Sequence, residues 1–417
     1  MKKRDNISNQ RGGVAQCVLR ERERETKKFL LILFCVGVIS LFFVGSVSAY
    51  TTKNSAFYCG NSTMNATEIC DDCELALNDN TYYTVYLNES VLNVSGNCIN
   101  QPDNFRNKIL DCQGNSINGN GSGEEGIIFP LGNGANNTIQ NCNISNFKIG
   151  IRSAYDITNT KIINNTFSSL SSMDIYFYGS GSSEIIIANN TINSSKDGIV
   201  FVSALGTLEN VSVYGNSVTS SRYAIITSNS HNNNLYNNTL LAAGSGYLVF
   251  FSSSLNNTFS NNTITSSYGY GIVFWYSNST LVFNNNITVT SGVPSVWIKY
   301  NSTDNNISTN NISATGSNTI YIENTNLNII SSNILSSSNS YDVIRIFDGA
   351  SYNKISSNII TQLNSGLGIY IKNASNYNII ENNNFTTNSS YSVMIQQSAY
   401  ANVTGNNVTT YSGYGNL

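Results

Sequence analysis

Residues 355–372 read "ISSNIITQLNSGLGIYIK". Asn358 stands just before the apolar pair Ile359-Ile360, and a second apolar stretch, Gly368-Ile369-Tyr370-Ile371, follows after a polar interval. The same arrangement recurs along most of the chain. Counting from the apolar residue two places after the asparagine, thirteen anchors run from Ile117 to Val408 at steps of 22 to 27 residues. Two places before the anchor, twelve of the thirteen positions are Asn, and the exception is Cys142. A period of that length, held in phase over so much of the chain, marks a repeat architecture.

Each repeat holds three short apolar stretches. One leads into the asparagine, as in "EIIIANN" and "TLVFNNN". One follows it directly, and one comes seven to ten residues past the anchor, as in "GIVF" at 198 and 271, "TIYI" at 319 and "GIYI" at 368. Three short strands in about 24 residues make one coil of a parallel β-helix, with coils stacked roughly 4.8 Å apart and inward side chains in columns. Leucine-rich repeats have a similar period but need a leucine framework and a helical segment, and propeller blades need longer units. The repeated asparagine has two expected jobs. It tolerates the left-handed backbone of a sharp turn, and its amide can bond the asparagine of the next coil in a ladder.

Composition agrees. Apolar residues make up 40% of the chain, too many for disorder, while charged residues are 11% and only 3 residues are Pro. Strand formers are plentiful and helix formers scarce, which points to an all-β protein. The first 28 residues differ, with nine basic and four acidic side chains. An apolar run of 21 residues follows, Phe29–Ala49, long enough to span a bilayer and ending in the small residues of a signal-peptidase site. Residues 1–28 are thus read as a basic cytoplasmic lead, and residues 29–49 as a signal peptide or a retained signal anchor that would tie the chain to a membrane.

The exported remainder keeps 12 basic and 20 acidic residues of the 21 and 24 in the chain, a net acidic balance that argues against nucleic acid as a partner. It also holds Cys59, Cys70, Cys73, Cys98, Cys112 and Cys142, an even set expected to form disulfides whose pairing the sequence leaves open. No second Cys-x-x-Cys and no neighbouring His completes a metal set around Cys70 and Cys73. Residues 50–97 are expected to form a disulfide-bonded head that caps the first coil, since a bare end coil exposes strand edges. Residues 98–417 form the helix itself, which stops inside a repeat and is expected to continue.

The repeats resemble those of right-handed parallel β-helix proteins, the pectin-lyase-like superfamily, and within it NosD-like "periplasmic copper-binding" repeats and archaeal cell-surface proteins. The closest local likeness lies in "ILDCQGNSINGNGSGEEGIIF" (109–129) and "NNTIQNCNISNFKIGI" (136–151). The resemblance implies a right-handed coil in which the asparagine turn separates the second strand from the third. It also implies that ligands lie on the outer face of the first, "GIVF" sheet. It does not carry copper over, because a copper site wants His, Cys or Met. The exported part has one histidine, His231, in the polar turn "SNSHNNN", and its cysteines are accounted for as disulfides.

Side chains alternate across a strand. If Ile199, Ile272, Val296, Ile320 and Ile369 point inward, then Tyr176, Tyr178, Phe251, Trp275, Trp297, Tyr321 and Tyr370 point outward on the first sheet. Lys299, Glu323, Arg345 and Lys372 interleave with them, Lys299 and Glu323 as a cross-coil ion pair. An outward aromatic row suits stacking on sugar rings or burial under a partner. Paired acids for glycoside hydrolysis are missing, and Asp174 and Asp197, on adjacent coils, make at most a weak calcium site. The expectation is an extracellular or cell-surface protein, non-enzymatic, contacting cell-surface glycans or surface proteins, with no catalytic residue, metal or cofactor. A polysaccharide lyase on the same face is the alternative, and a NosD-like accessory protein a weaker one. Abundant Asn-x-Ser/Thr sequons, among them Asn61, Asn136 and Asn301, mark candidate glycosylation sites.

Overall fold

The computed structural model describes residues 55–411, apart from residues 123, 131, 133, 180, 194–195, 204–207 and 390. The basic lead and the Phe29–Ala49 segment lie outside the described residues. Among those described, no helix is long and apolar enough to cross a membrane. The body from Ala56 onward is a right-handed parallel β-helix built of three sheets of 13, 15 and 14 strands. These are named here the first, second and third sheets, in the order in which a coil visits them after its variable loop. Neighbouring strands in each sheet come from successive coils and pair in parallel, as in Ile272–Val296–Ile320 of the first sheet and Ile264–Ile287–Ile312 of the third.

The interior is a set of aliphatic and aromatic columns. Ile144, Phe167, Ile192, Val218, Leu240 and the later anchors as far as Phe385 are essentially inaccessible to solvent, and Val408, in the last coil described, is partly buried. Every coil closes its inward face on the coil before and after it, so the apolar burial is continuous along the stack.

The asparagine ladder is present and unbroken from Asn165 to Asn406. Each Nδ2 donates to the Oδ1 of the next coil's asparagine at 2.9–3.1 Å. That same Oδ1 also accepts the preceding asparagine's backbone N–H, as Asn310 Oδ1 does from Asn285 at 2.9 Å. One part of the expectation needs correcting. The left-handed residue is not the ladder asparagine but the one before it: Asn164, Asn189, Asn237, Asn261 and Asn284 have φ of 55–57°, and Thr309, Ser332 and Ser357 share that conformation. The turn residue takes the bend, which leaves the next side chain free to aim inward.

Cys142, the exception in the ladder, forms a disulfide with Cys112 on the preceding coil. A covalent link thus stands where the amide contact is missing. The other bridges are Cys59–Cys73 and Cys70–Cys98. Cys70 and Cys73 lie on α1 (Ala66–Asn78), a helix the strand-rich composition did not suggest. Its start is a capping box: Asn65 Oδ1 accepts the Glu68 N–H at 3.1 Å, and Glu68 Oε2 accepts the Asn65 N–H at 2.8 Å. Ile69, Cys70, Cys73, Ala76 and Leu77 form its buried stripe; Cys70–Cys98 fastens that stripe to the first coil, and Cys59–Cys73 fastens it to the preceding strand that ends at Cys59. The strands Tyr82–Leu87, Val91–Val94 and Ile99–Asn100 already belong to the second, third and first sheets. Coil formation therefore begins near Tyr82, inside the segment 50–97 read as the head.

A second ladder escaped the sequence reading. Asn305, Asn328, Asn353 and Asn378, at the turn into the second sheet, bond Nδ2 to Oδ1 at 3.0–3.2 Å. Asn233 and Asn257 do the same at 2.9 Å. Thr280 interrupts the row, though its N–H still donates to Asn305 Oδ1 at 3.0 Å.

Candidate functional site

Two columns of side chains face outward along the first sheet. Strand register places Tyr176, Val200, Ile226, Phe250, Val273, Trp297, Tyr321, Arg345, Tyr370 and Met394 in one. Tyr178, Trp275, Lys299, Glu323, Lys372 and Gln396 stand in the other. Ten of the eleven residues expected on this face are there. Phe251 is not. It is fully buried, stacked on Phe274 at 5.2 Å between ring centroids, and its outward place is taken by Phe250. In "YLVFF" the run Tyr247–Phe251 is wholly apolar, so no alternation pins the register, and Val249 rather than Leu248 pairs with the inward Ile272.

The middle of the face is an aromatic ribbon. Tyr270, Trp297 and Tyr321 stack in succession, with centroids 5.4 and 5.8 Å apart and planes within 17° and 11° of parallel. Beside them Trp275 packs against Tyr300 at 4.9 Å. Lys299 does not pair with Glu323 as expected. Its ammonium sits 3.4 Å from the Trp297 ring centroid and 4.2 Å from that of Trp275, and the side chain is almost wholly covered. Glu323 instead accepts the Trp297 indole N–H at 3.1 Å. An indole face attracts a cation, by about 2 kcal/mol when water is excluded, so two rings replace the carboxylate as partner. Burial lowers the Lys299 pKa, opposed by the charge of Glu323. Burial, with the nearby Glu323 charge, pushes the Tyr321 hydroxyl up to about 12.

Further along, the Arg345 guanidinium lies 5.0 Å from the Phe347 ring and 5.5 Å from Tyr370, whose hydroxyl donates to Gln396 Oε1 at 2.5 Å. At the other end Tyr176 and Tyr178 are 6.1 Å apart, and Arg152 pairs with Glu125 at 2.6 Å. Sequence reasoning missed Phe250 and Tyr300. It also missed an exposed stack at the turn into the second sheet, Tyr352, Tyr377 and Tyr400, with centroids 4.9 and 4.7 Å apart. Their repeat-length spacing in the sequence was a usable signal.

The acids offer little for catalysis. Asp174 is fully buried, and Asp197 is held by Arg222. Register pairs Asp197 with Met173, so the two carboxylates are offset along their strands. Among the described residues no group of three His, Cys, Asp or Glu side chains could hold a metal ion. What the face can do chemically is stack flat rings, offer a shielded cation at its centre, and present Arg345 and Lys372 at one side.

His231 belongs to a short parallel ladder rather than a bare turn: strand register sets it opposite Glu209 of the preceding coil, and its Nδ1 accepts the Leu255 N–H at 2.9 Å. Burial lowers its pKa against the opposing pull of Glu209. The unfolded chain therefore takes up the proton first, so this contact stabilises the fold at neutral pH and loses its contribution as pH falls below about 6.5. The wild type is expected to lose more melting temperature on mild acidification than His231→Gln. Equal losses would show that the imidazole bond contributes nothing.

Residues 149–312 and, overlapping them, 210–344 match the family described as "Right handed beta helix region". No curated protein matches the chain in sequence. Among solved structures, the chain is similar to the periplasmic alginate epimerase AlgG, at 14% identity and a TM-score of 0.51, over 66% of this chain and 77% of that one. It is also similar to the Streptococcus pneumoniae surface protein and adhesin PfbA, at 11% identity and a TM-score of 0.46, over 86% and 100%. A third likeness is to DFA-IIIase from Arthrobacter chlorophenolicus A6, at 11% identity and a TM-score of 0.45, over 78% and 93%. Such identities speak to fold alone. The parallel three-sheet coil and its asparagine ladder, with the matched segment inside it, give this chain the right-handed parallel β-helix fold.

Proposed function

We propose that the protein is exported to the cell surface and holds glycans, or neighbouring surface proteins, against the outer face of its first sheet without chemical turnover. The observation that carries this reading is the ribbon Tyr270–Trp297–Tyr321, with Lys299 held over the indoles of Trp297 and the neighbouring Trp275. Half-buried aromatics in a row offer sugar rings or a partner's side chains a large contact area at low entropic cost. Three disulfides in the first coils fit an oxidising compartment outside the cytoplasm. The alternative on the same face is lyase chemistry, with Lys299, held over the Trp297 and Trp275 rings and its pKa lowered by burial, as the candidate base.

The test is a glycan array and an acidic-polysaccharide digest run on the full chain and on Trp297→Ala, with melting curves to confirm folding. Binding that weakens by at least about tenfold in the variant is expected, the scale of losing a central Trp anchor. Unaltered binding would remove this face from consideration. Unsaturated sugar ends, seen by their ultraviolet absorbance, would replace the binding reading with the lyase.

A further inference from the structure

The fold sorts the chain's Asn-x-Ser/Thr sequons by direction. An asparagine that points inward is followed, two places later, by another inward position, which the core fills with an apolar side chain. Phe167 follows Asn165 in this way, and Leu240 follows Asn238. Every buried asparagine among the described residues obeys the same rule, so none of them begins a sequon. An outward asparagine is followed by an outward position, where Ser and Thr are common. The first sheet departs from this. Its outward places hold mainly aromatic, aliphatic and charged residues, and no sequon begins on any of its 13 strands.

One row of sequons lies at the turn between the second and third sheets. Asn164, Asn189, Asn237 and Asn261 are left-handed residues of that turn, with φ of 55–57°. Each is exposed, and the ladder asparagine after it points inward. The residues after those, Thr166, Thr191, Thr239 and Thr263, are exposed in one outward column of the third sheet. Among the described residues, no hydrogen bond holds any of these four side-chain amides or four hydroxyls. Other sequons are less free. Asn136 Nδ2 donates to Asn107 Oδ1 at 2.7 Å, and Asn407 Nδ2 donates to Asn384 Oδ1 at 3.1 Å. A sugar on an asparagine replaces one Nδ2 hydrogen and needs open space beyond it. At the turn row this breaks no contact of the fold.

We propose that Asn164, Asn189, Asn237 and Asn261 form a row of N-glycosylation sites, with at least one glycan on each neighbouring pair. The donor is a sugar linked through a diphosphate to a lipid. Asn Nδ2 bonds to the anomeric carbon of that sugar, and the bond from this carbon to the diphosphate oxygen breaks. The lipid diphosphate leaves with the electron pair, and the amide gives one proton to a base of the transferase. Such a donor is met outside the cytoplasm, so the proposal rests on the export reading given above. The turn is also the one corner of the coil that the first sheet does not border. Glycans are bulky and solubilising. Placed there, they cover the edge of the third sheet and leave the aromatic face open.

The full chain would be isolated from its native cells and digested without reduction, and its peptides read by mass spectrometry. Expected is added sugar mass on at least one of Asn164 and Asn189 and on at least one of Asn237 and Asn261, together with bonded Cys59–Cys73. In Thr239→Ala/Thr263→Ala the sugar at Asn237 and Asn261 should fall to background, and Thr239→Ser/Thr263→Ser should keep it. Both threonines are exposed, so melting temperature should be preserved in either variant. Bare asparagines at either pair would overturn the proposal, as would sugar that persists in the alanine variant. The cysteines separate the two readings. Bonded cysteines with bare asparagines would sink the glycans and leave export standing, whereas free thiols would sink both.

Discussion

Phe251→Ala is expected to cost about 3–5 kcal/mol of stability, whereas Phe250→Ala, one residue earlier, costs about 1 kcal/mol. The two side chains look interchangeable in "YLVFF". In the folded protein Phe251 is fully buried, 5.2 Å from Phe274 and 6.3 Å from Phe259. Its removal leaves a cavity inside a column that neighbouring coils cannot collapse without breaking their own register. Phe250 lies on the surface against Tyr247 at 5.2 Å and Trp275 at 6.3 Å, where water and neighbouring rings fill its place. The check is a pair of urea titrations, read as midpoint shifts. Because coils interact chiefly with their neighbours, hydrogen exchange at Ile225 and Phe274 would confirm that damage is local. If Phe250→Ala proves the worse variant, the strand Tyr247–Ser252 has the opposite facing.

Asn310→Ala is expected to destabilise by about 3 kcal/mol, and Asn310→Asp by more at neutral pH. Asn310 is in the middle of the ladder and almost inaccessible. Its Nδ2 donates to Val282 O at 2.9 Å, Ser308 O at 3.0 Å and Asn333 Oδ1 at 3.0 Å. Its Oδ1 accepts from the backbone and side-chain N–H groups of Asn285. Alanine strands all of these partners away from water. Aspartate keeps the acceptor but turns a second oxygen toward three oxygens, so the charge is buried among like dipoles. The carboxyl of the variant should then hold its proton well above the usual range, and Asn310→Asp should regain part of its loss as pH falls. Melting curves of both variants at neutral and acidic pH measure this. Equal stability of Asn310→Asp and wild type at neutral pH would refute the ladder's role.

Much of the coil was legible in the chain because its signals are local and repeated. Asn358 and its counterparts, the inward anchors and the "GIVF" strands recur at one period, and repetition averages out the ambiguity of any single stretch. The second ladder was legible too, since Asn305, Asn328 and Asn353 each stand five residues before a ladder asparagine. It went unread because the chain is rich in Asn. The candidate site was partly legible: Trp297, Tyr321 and Tyr370 follow from alternation, while Phe251 fails where an apolar run has none.

The period, the three strands per coil, the inward columns and the set of six bonded cysteines could all be read along the chain. Each depends on spacing along the chain or on residue type. Stacking of the coils selects the partners Cys59–Cys73, Cys70–Cys98 and Cys112–Cys142, two indoles rather than Glu323 for Lys299, and the residue that takes the left-handed turn. Apart from Lys299 on Trp297, its neighbour on the same strand face, these are contacts between groups some 14 to 30 residues apart, or choices between adjacent residues of similar chemistry. They are settled by the distance between stacked coils, which no single repeat contains.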